Sequence, residues 1–440
     1  MRAAALAFAA ALALAGGAAP IAAAPQATGD AAASAPPPAP APGATGCIRC
    51  HDELREDLGP QSIEWRESVH AAVGVSCHDC HGGNPDSDDM LVAKNAESGY
   101  VGKPKTRADV APACARCHSD IEYMRRFDPA IRVDQHVEYL TSRHGKAVHQ
   151  EGSDKAATCT DCHGGHAIRP PADPRSTVHP SHVADTCARC HSDAARIGKA
   201  EIPTDIPDLW RKSVHGEKLH GGDLSAPTCN DCHGNHGAVP PGTSDVVHVC
   251  GRCHVTQEEH FQAGSHRAHF EKMGKAACIT CHGNHSVVPA TDALLGNAPP
   301  GVCGQCHKAG DKCDEATSVM TAGITSLLSG MRDSEATLAE AEQLGMDVSE
   351  ARFRLTDVRD RITMARVVVH RFSEEDFGQV VGEGEKILAE IREEGSAALD
   401  EWQFRRKGLA LSLVLILIVI ALLARQVRRL DRARAGSATG

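Results

Sequence analysis

Apolar residues in the C-terminal part of the chain recur every three or four positions, which is the spacing of one face of an α-helix. The recurrence covers three segments: Met320 to Ala341, Val348 to Phe372 and Phe377 to Trp402. It is interrupted near Gly345 and near Ser373, so we predict three antiparallel helices that form a bundle or stalk over residues 313–407. A dimerising coiled coil would have the same pattern and is the alternative.

A longer apolar run without any charge extends from Leu409 to Ala424, directly after the third segment. At about 1.5 Å per residue this run is about 24 Å long, slightly less than a hydrocarbon core of about 30 Å. Lys407 and Arg425 border the run, and their long side chains can reach the membrane surface from slightly inside it. We predict a transmembrane helix at 408–425, with a buried helix of a soluble domain as the alternative.

The charges at the two ends predict the orientation of the chain. Five arginines follow the apolar run and three basic residues precede it. Because basic residues favour the cytoplasmic side, we expect a basic cytoplasmic tail at 426–440 and the rest of the chain outside. At the N-terminus, one arginine, an apolar run and three alanines indicate a secretory signal peptide at 1–24, or an uncleaved anchor. A Pro- and Ala-rich linker follows at 25–45.

The composition limits how the remaining segment, residues 46–312, can fold. Aromatic residues make up only 3% of the 440-residue chain, too few to fill a core of that size, whereas cysteine (19) and histidine (26) are abundant. Chains of this kind usually fold around a group that they bind, so we expect cofactors to supply the missing aromatic bulk. The formal net charge of −11 argues against nucleic-acid binding and favours partners with basic docking surfaces.

Nine copies of Cys-x-x-Cys-His account for 18 of the 19 cysteines. The cysteine pairs are Cys47 and Cys50, Cys77 and Cys80, Cys114 and Cys117, Cys159 and Cys162, Cys187 and Cys190, Cys229 and Cys232, Cys250 and Cys253, Cys278 and Cys281, and Cys303 and Cys306. The adjoining histidines are His51, His81, His118, His163, His191, His233, His254, His282 and His307. The remaining cysteine, Cys313, is expected to be a leftover thiol or an intermolecular link.

This spacing suits covalent attachment of haem c. Two thiols three residues apart form thioethers with the vinyl groups of one haem, and the next histidine lies under the ring as a proximal ligand of the iron. Disulfides and structural zinc sites also use paired cysteines, but neither needs a histidine directly after the second cysteine. We therefore predict nine covalently bound haem c groups in a domain over residues 46–312.

The motifs form four units of two, preceded by the single motif at Cys47. Each unit begins with an isolated histidine that follows an aromatic residue by five positions, as in Trp65-Arg-Glu-Ser-Val-His70. The first motif of each unit ends in His-Gly, and in three units another histidine follows in the pattern Cys-His-Gly-x-His. Such a repeat is typical of an extended array of duplicated units.

The repeat also supplies candidates for the distal, sixth ligand of each iron. The recurrent histidines are His70, His144, His215 and His266 upstream of a motif, and His166, His236 and His285 downstream of one. Because each downstream histidine lies three residues, at most about 10 Å, after a proximal histidine, we expect it to ligate a neighbouring haem. Unit one has Asn84 at this position. His370 is the eighth candidate, and His136, His182 and His248 compete for a ninth place.

These motifs, with the segments Gly99-Tyr-Val-Gly-Lys-Pro-Lys and Cys114-Ala-Arg-Cys-His-Ser-Asp, resemble those of multihaem c-type cytochromes of anaerobic respiration. The similarity covers roughly residues 47–307 and extends more weakly into the helical tail. It implies a closely spaced haem chain, haem attachment outside the cytoplasm and redox partners at each end. With the C-terminal pattern, we predict a mainly α protein with much irregular loop: an extended multihaem array, a helical bundle and one transmembrane helix.

The sequence therefore predicts an electron carrier with a periplasmic haem domain and a C-terminal anchor in the cytoplasmic membrane. We expect it to pass electrons from a membrane quinol-oxidising complex to periplasmic or outer-membrane cytochromes, and we assign no catalytic residue. The alternative is a reductase of nitrite, hydroxylamine or tetrathionate with one five-coordinate haem, which Asn84 favours. Against it, all nine motifs end in histidine and the chain has only three tyrosines.

Overall fold

The computed structural model describes residues 45–200 and 202–437. Helices make up 65% of the structure, and the described residues contain no β-strand. The prediction of a mainly α protein is therefore confirmed. The predicted signal peptide lies outside the described residues, as do all but the last position of the predicted linker.

Residues 46–312, which we call the motif region, consist of short helices joined by loops. The helices described there are α1 (Gly46–Glu53), α2 (Arg55–Leu58), α3 (Gln61–Arg66), α4 (Val69–Ala72), α5 (Cys77–His81), α6 (Met90–Ala93), α7 (Val110–His118), α8 (Ile121–Met124), α9 (Gln135–Thr141), α10 (Arg143–His149), α11 (Cys159–His163), α12 (Pro180–His191), α13 (Ala194–Ile197), α14 (Ile206–Arg211), α15 (Val214–His220), α16 (Cys229–His233), α17 (Val246–Gly251), α18 (Val255–Ala263), α19 (His266–Met273) and α20 (Ala277–His282). Turns of 3-10 helix occur at Arg107–Asp109, Gly198–Ala200, Asp292–Leu294 and Cys303–Gln305. Helices this short are not stable alone, so contacts outside them must hold the region together.

The apolar interior of the motif region is small. Its two clusters of buried side chains consist of Ala184, Trp210, Leu219 and Ala226, and of Val247, Phe270 and Ala277. Burial of so few apolar groups does not offset the conformational entropy lost in ordering a region of this length. The interior therefore depends on bound groups, as the low aromatic content predicts.

Three long helices follow the motif region. They are α21 (Lys312–Gln343), α22 (Ser349–Val368) and α23 (Glu374–Ser437), with a 3-10 turn at Val369–Arg371 between the last two. Each packs against both others, and the short connections make consecutive helices antiparallel. The centre of this bundle includes Leu327, Leu338, Val358, Leu388 and Ile391, all with 0% exposure. The apolar face seen in the sequence thus builds the bundle core.

The third bundle helix continues without interruption into the apolar run, since α23 extends from Glu374 to Ser437. Every large apolar side chain from Leu409 to Leu423 is at least half exposed. Apolar side chains on all faces of a helix suit lipid and not water. By length and composition, α23 is able to cross a membrane.

The bundle is joined to the motif region near the end of α22. The guanidinium of Arg366 donates two hydrogen bonds to Asp292, at 2.8 and 2.7 Å. The ring centre of Phe372 lies 3.8 Å from that of His266. Phe372 has a φ of +55°, which non-glycine residues rarely adopt, and it reverses the chain between α22 and α23. This reversal places the adjoining His370 against the motif region.

Candidate functional site

Four of the nine motifs lie on single-turn helices with well-defined ends, namely α5, α11, α16 and α20. In the first three, the backbone N–H of a Ser or Thr donates a 2.7 Å hydrogen bond to an Asp carboxylate three residues later: Ser76 to Asp79, Thr158 to Asp161 and Thr228 to Asp231. All four helices end at a glycine with φ between +68° and +87°: Gly82, Gly164, Gly234 and Gly283. Glycine adopts this conformation readily, so the local sequence sets both ends of each turn.

The aromatic residue and the serine before a unit position its upstream histidine. In units one to three the serine hydroxyl donates a 2.6 Å hydrogen bond to the carbonyl of the aromatic residue: Ser68 to Trp65, Ser142 to Tyr139 and Ser213 to Trp210. The same oxygen accepts from a backbone N–H three residues later, at 2.9 to 3.1 Å, and so caps the helix that carries the histidine.

The same aromatic side chains hold the motif that follows. Trp65, Tyr139 and Trp210 each donate a hydrogen bond of 2.9 to 3.3 Å to the carbonyl two residues before the next motif. In units one to three, the pattern aromatic-x-x-Ser-x-His therefore ties the upstream histidine to its own unit.

The structure brings each of the eight predicted distal histidines opposite one motif histidine. Their ring centres are 6.0 to 6.4 Å apart in the pairs His70–His118, His166–His81, His144–His191, His236–His163, His215–His254, His285–His233, His266–His307 and His370–His282. All eight candidates picked from the sequence thus lie opposite a motif, although ligation itself stays a prediction.

The separation within these pairs fits a metal ion between two imidazoles. A bond from imidazole nitrogen to a first-row metal is about 2 Å long and the nitrogen lies about 1.2 Å from the ring centre, so two opposed ligands have centres about 6.4 Å apart. The observed separations are within about 0.4 Å of that value. With two thiols beside each motif histidine, the donors match the axial ligands and covalent links of a haem c.

Burial disfavours the charged form of several of the paired imidazoles. Burial lowers the pKa of His144, and the facing His191 lowers it further. Burial likewise lowers the pKa of His163, with the facing His236 as the next cause. A neutral imidazole keeps the lone pair that binds a metal, so these surroundings suit iron ligands.

Hydrogen bonds to Nδ1 orient several of these rings. His81 Nδ1 lies 2.9 Å from the carbonyl oxygen of Gly102, and His370 Nδ1 lies 2.9 Å from that of Val367. His307 Nδ1 lies 3.2 Å from a carboxylate oxygen of Asp311. Such a bond engages Nδ1 and leaves Nε2 free for a metal.

The pairing follows one rule along the array. An upstream histidine faces the second motif of its own unit, whereas a downstream histidine faces the first motif of the preceding unit. His166, for example, comes three residues after His163 but faces His81. Backbone bonds of 2.8 to 3.0 Å reinforce each junction: Val69 to Ile168, Arg143 to Ala238 and Val214 to Val287. Neighbouring units are therefore linked at both the ligands and the backbone.

Consecutive motifs also lie side by side. Thiols of consecutive motifs are close enough to perturb each other: Cys159 raises the pKa of Cys114, Cys229 raises the pKa of Cys187, and Cys250 raises the pKa of Cys278. The arginines of the third, fifth and seventh motifs donate to backbone carbonyls of the preceding motif: Arg116 to Cys80, Arg189 to Asp161 and Arg252 to Asp231. At the two ends, burial raises the pKa of Cys77 and of Cys281, and the nearby Cys47 and Cys303 raise them further. The nine motifs form one uninterrupted row.

The first motif departs from the pairing rule. Among the described residues, no ring pair includes His51, and the Nζ of Lys94 lies 3.5 Å from its Nε2. By the pairing rule, the partner of His51 would come from position 84, the downstream position of unit one. This position is occupied by Asn84. The repeat does not predict Lys94, because lysine is not part of it. Its signal was the segment between Cys80 and Cys114, which has 33 residues where the other units have 24, 17 and 21.

The three histidines considered for a ninth place lie elsewhere. His182 Nδ1 bonds to the Ser176 carbonyl at 2.9 Å, and His248 Nδ1 bonds to Glu258 at 2.6 Å. The Nε2 of His136 is buried without a hydrogen-bond partner in the described part of the chain. The structure therefore does not place these three opposite a motif histidine.

Cys313 lies beside the ninth motif. Burial, followed by the neighbouring Cys303, raises the pKa of its thiol to about 12. Three potential metal-ligand atoms lie within 4.8 Å of one another, one each from Cys313, His307 and Asp311. Because His307 is also the predicted iron ligand, this cluster belongs to the ninth site.

Comparisons with known proteins agree with this chemistry. A family model described as Cytochrome c3 matches residues 69–172. The chain is 27% identical over 215 residues to the C-type polyheme cytochrome OmcC of Geobacter sulfurreducens. The aligned region covers 43% of this chain and 26% of that protein. The chain is 24% identical over 228 residues to the multiheme cytochrome MtrA of Shewanella baltica, which covers 48% of this chain and 53% of that protein.

The matches are partial, since the chain spans about a quarter of the first relative and about half of the second. No solved structure matches the chain. Both relatives are named as cytochromes with several haems. The thiol pairs and opposed imidazoles described above suit the same cofactor. The chain is a multihaem c-type cytochrome that binds haem c covalently.

Proposed function

We propose that this cytochrome carries nine haem c groups and conducts electrons along them. The observation that carries the proposal is the uninterrupted row of nine motifs, in which each lies beside the next. Electron transfer between cofactors weakens steeply with distance, so a conduit requires adjacent sites of this kind. The polyhaem and multihaem cytochromes that the chain resembles support the same role.

The opposed histidines favour conduction over catalysis. An iron with two axial imidazoles has no open position, and reduction of a bound substrate requires one. The eight histidine pairs therefore describe carriers and not reaction centres. A reductase is the second candidate, and the observation that favours it is that His51 is in no ring pair of the described residues.

The same proposal places the motif region in the periplasm and the apolar run of α23, Leu409 to Ala424, in the cytoplasmic membrane. Helix α21 begins just after the ninth motif, and His370 returns to the eighth, so these two sites lie at the far end of the bundle. From Glu374 to Trp402 the bundle is about 42 Å long at about 1.5 Å per residue.

An upright bundle of that length keeps the haems away from the bilayer. We therefore expect the electron donor to be the projecting redox centre of a membrane quinol-oxidising complex, and not a quinol within the membrane. The acceptors would be periplasmic or outer-membrane cytochromes of an anaerobic respiratory chain.

Intact mass and substrate titration test the proposal together. The mass of the purified protein should exceed that of its processed polypeptide by nine haem groups, and a smaller excess would contradict the count. The reduced protein, mixed with nitrite, hydroxylamine or tetrathionate without a redox partner, should oxidise slowly. Rapid turnover with one of them would instead support the reductase.

A further inference from the structure

The first motif has a candidate ligand that the histidine repeat does not contain. The downstream position of each unit faces the first motif of the unit before, so position 84 corresponds to the single motif at Cys47. Asn84 has no imidazole, but its backbone N–H donates to the carbonyl of Ala93 at 3.1 Å. This bond places the next residue, Lys94, beside the position that the missing histidine would occupy.

The segment that carries Lys94 is packed closely onto the first two motifs. The backbone N–H of Gly46 donates to the carbonyl of Pro85 at 2.7 Å, and Arg49 of the first motif pairs with Asp88 at 2.9 Å. A Cβ on Gly46 would lie 2.1 Å from the Ser87 carbonyl oxygen. Only glycine therefore fits at position 46, and the segment has a defined position against the first motif.

The second motif makes an equally close contact with this segment. A Cβ on Gly83 would lie 2.4 Å from the carbonyl oxygen of Ala93, and Gly83 has a φ of +96°. Both the close approach and the conformation require glycine. Ser98 further holds this carbonyl through its hydroxyl, at 3.3 Å. The backbone next to Lys94 is thus held from two sides.

We propose that Lys94 is the sixth ligand of the haem iron at the first motif, opposite His51. This inference rests on the proposed attachment of a haem at every motif. Two trans bonds of about 2 Å require about 4 Å between the nitrogens, and the 3.5 Å between Lys94 Nζ and His51 Nε2 reaches that value by a small side-chain movement. On binding, the ammonium releases one proton to solvent and its lone pair forms the bond to iron. The iron keeps its oxidation state.

This ligation makes the first haem different from the others but closes it to substrate. Eight sites would have two imidazoles, and the site at the N-terminal end of the row would have an imidazole and an amine. Because the axial ligand tunes the potential of a haem, the terminal carrier has its own potential. The absence of a histidine at position 84 then no longer argues for a catalytic haem.

The near-infrared magnetic circular dichroism of the oxidised full-length protein tests this directly, since its charge-transfer band separates lysine/histidine from bis-histidine ligation. We expect one haem equivalent of the lysine type in the unaltered protein. In Lys94→Arg that equivalent should be lost and replaced by one high-spin haem, since a guanidinium keeps the charge but does not bind iron. In Lys94→His it should become bis-histidine. Lys103→Ala, an exposed lysine of the same segment, is the matched control and should leave the spectrum unchanged.

Intact mass distinguishes the two ways in which the experiment can fail. A full complement of haem with only bis-histidine signals, or with one high-spin haem before any substitution, would overturn the role of Lys94 alone. An unchanged spectrum in Lys94→Arg would do the same. A protein that lacks the haem of the first motif would instead contradict the proposed array.

Discussion

Removal of the His370 imidazole is expected to open one iron site without dismantling the protein. In His370→Ala the haem proposed at the eighth motif should lose its sixth ligand, because His370 is the imidazole that faces His282, with ring centres 6.1 Å apart. The sixth position is then empty or taken by water, and the ferric iron changes from low spin to high spin. One iron in nine, about 11% of the total, should become high spin.

The effect on stability should be smaller than the effect on the iron. Apart from coordination, the substitution removes the hydrogen bond between His370 Nδ1 and the Val367 carbonyl, which contributes about 1 kcal/mol. The ion pair of Arg366 with Asp292 and the contact of Phe372 with His266 remain, so the bundle should stay attached to the motif region. Haem content should not change.

Low-temperature EPR of the oxidised protein checks the change of spin, intact mass checks the haem content, and a denaturant titration checks the free energy of unfolding. His248→Ala is the matched control, since that imidazole bonds to Glu258 and no ring pair in the described part of the chain joins it to a motif histidine. The reasoning is refuted if His370→Ala retains a fully low-spin spectrum at its normal haem content. It is also refuted if the control gains as much high-spin signal as His370→Ala.

Three further predictions concern packing and charge. Leu388→Ala, at a fully buried bundle position, should lower the free energy of unfolding by about 2 to 5 kcal/mol, whereas Phe353→Ala, 69% exposed, should change it by less than about 0.5 kcal/mol in denaturant titrations followed by circular dichroism. Gly145→Ala would place a Cβ 1.9 Å from the Tyr139 carbonyl oxygen and should convert the fifth haem to high spin by EPR, whereas Gly165→Ala meets no atom within 4 Å and should not. With a net charge of −11, association with a basic partner cytochrome should slow as ionic strength rises in stopped-flow mixing, and a salt-independent rate would contradict the role of charge.

The sequence located the helices and the ligand candidates where a period was present. The apolar spacing from Met320 to Trp402 predicts helices that the structure places in the bundle, because helix periodicity depends only on local geometry. The repeat likewise selected seven histidines that the structure places opposite motifs, because duplicated units repeat their contacts. His370, the eighth candidate, lies outside the repeat and also faces a motif histidine.

The partners of these histidines depend on tertiary structure and could not be derived. His166 faces His81, which lies in another unit, and only the packing of two units creates that contact. Lys94 is a single residue in a segment unique to unit one, so no recurrence marked it. The proposed ligation by Lys94 rests on its position beside His51, which only the tertiary structure provides.

The pairing of each unit with the next one bears on the order of assembly. If the facing histidines bind iron as proposed, a haem attached at the first motif of a unit would wait for its distal histidine until the following unit has emerged and folded onto it. His370, the last histidine of the chain, closes the series from within the bundle. Maturation would then proceed in steps from one end, and a chain that stopped after any unit would keep one reactive iron at its growing tip.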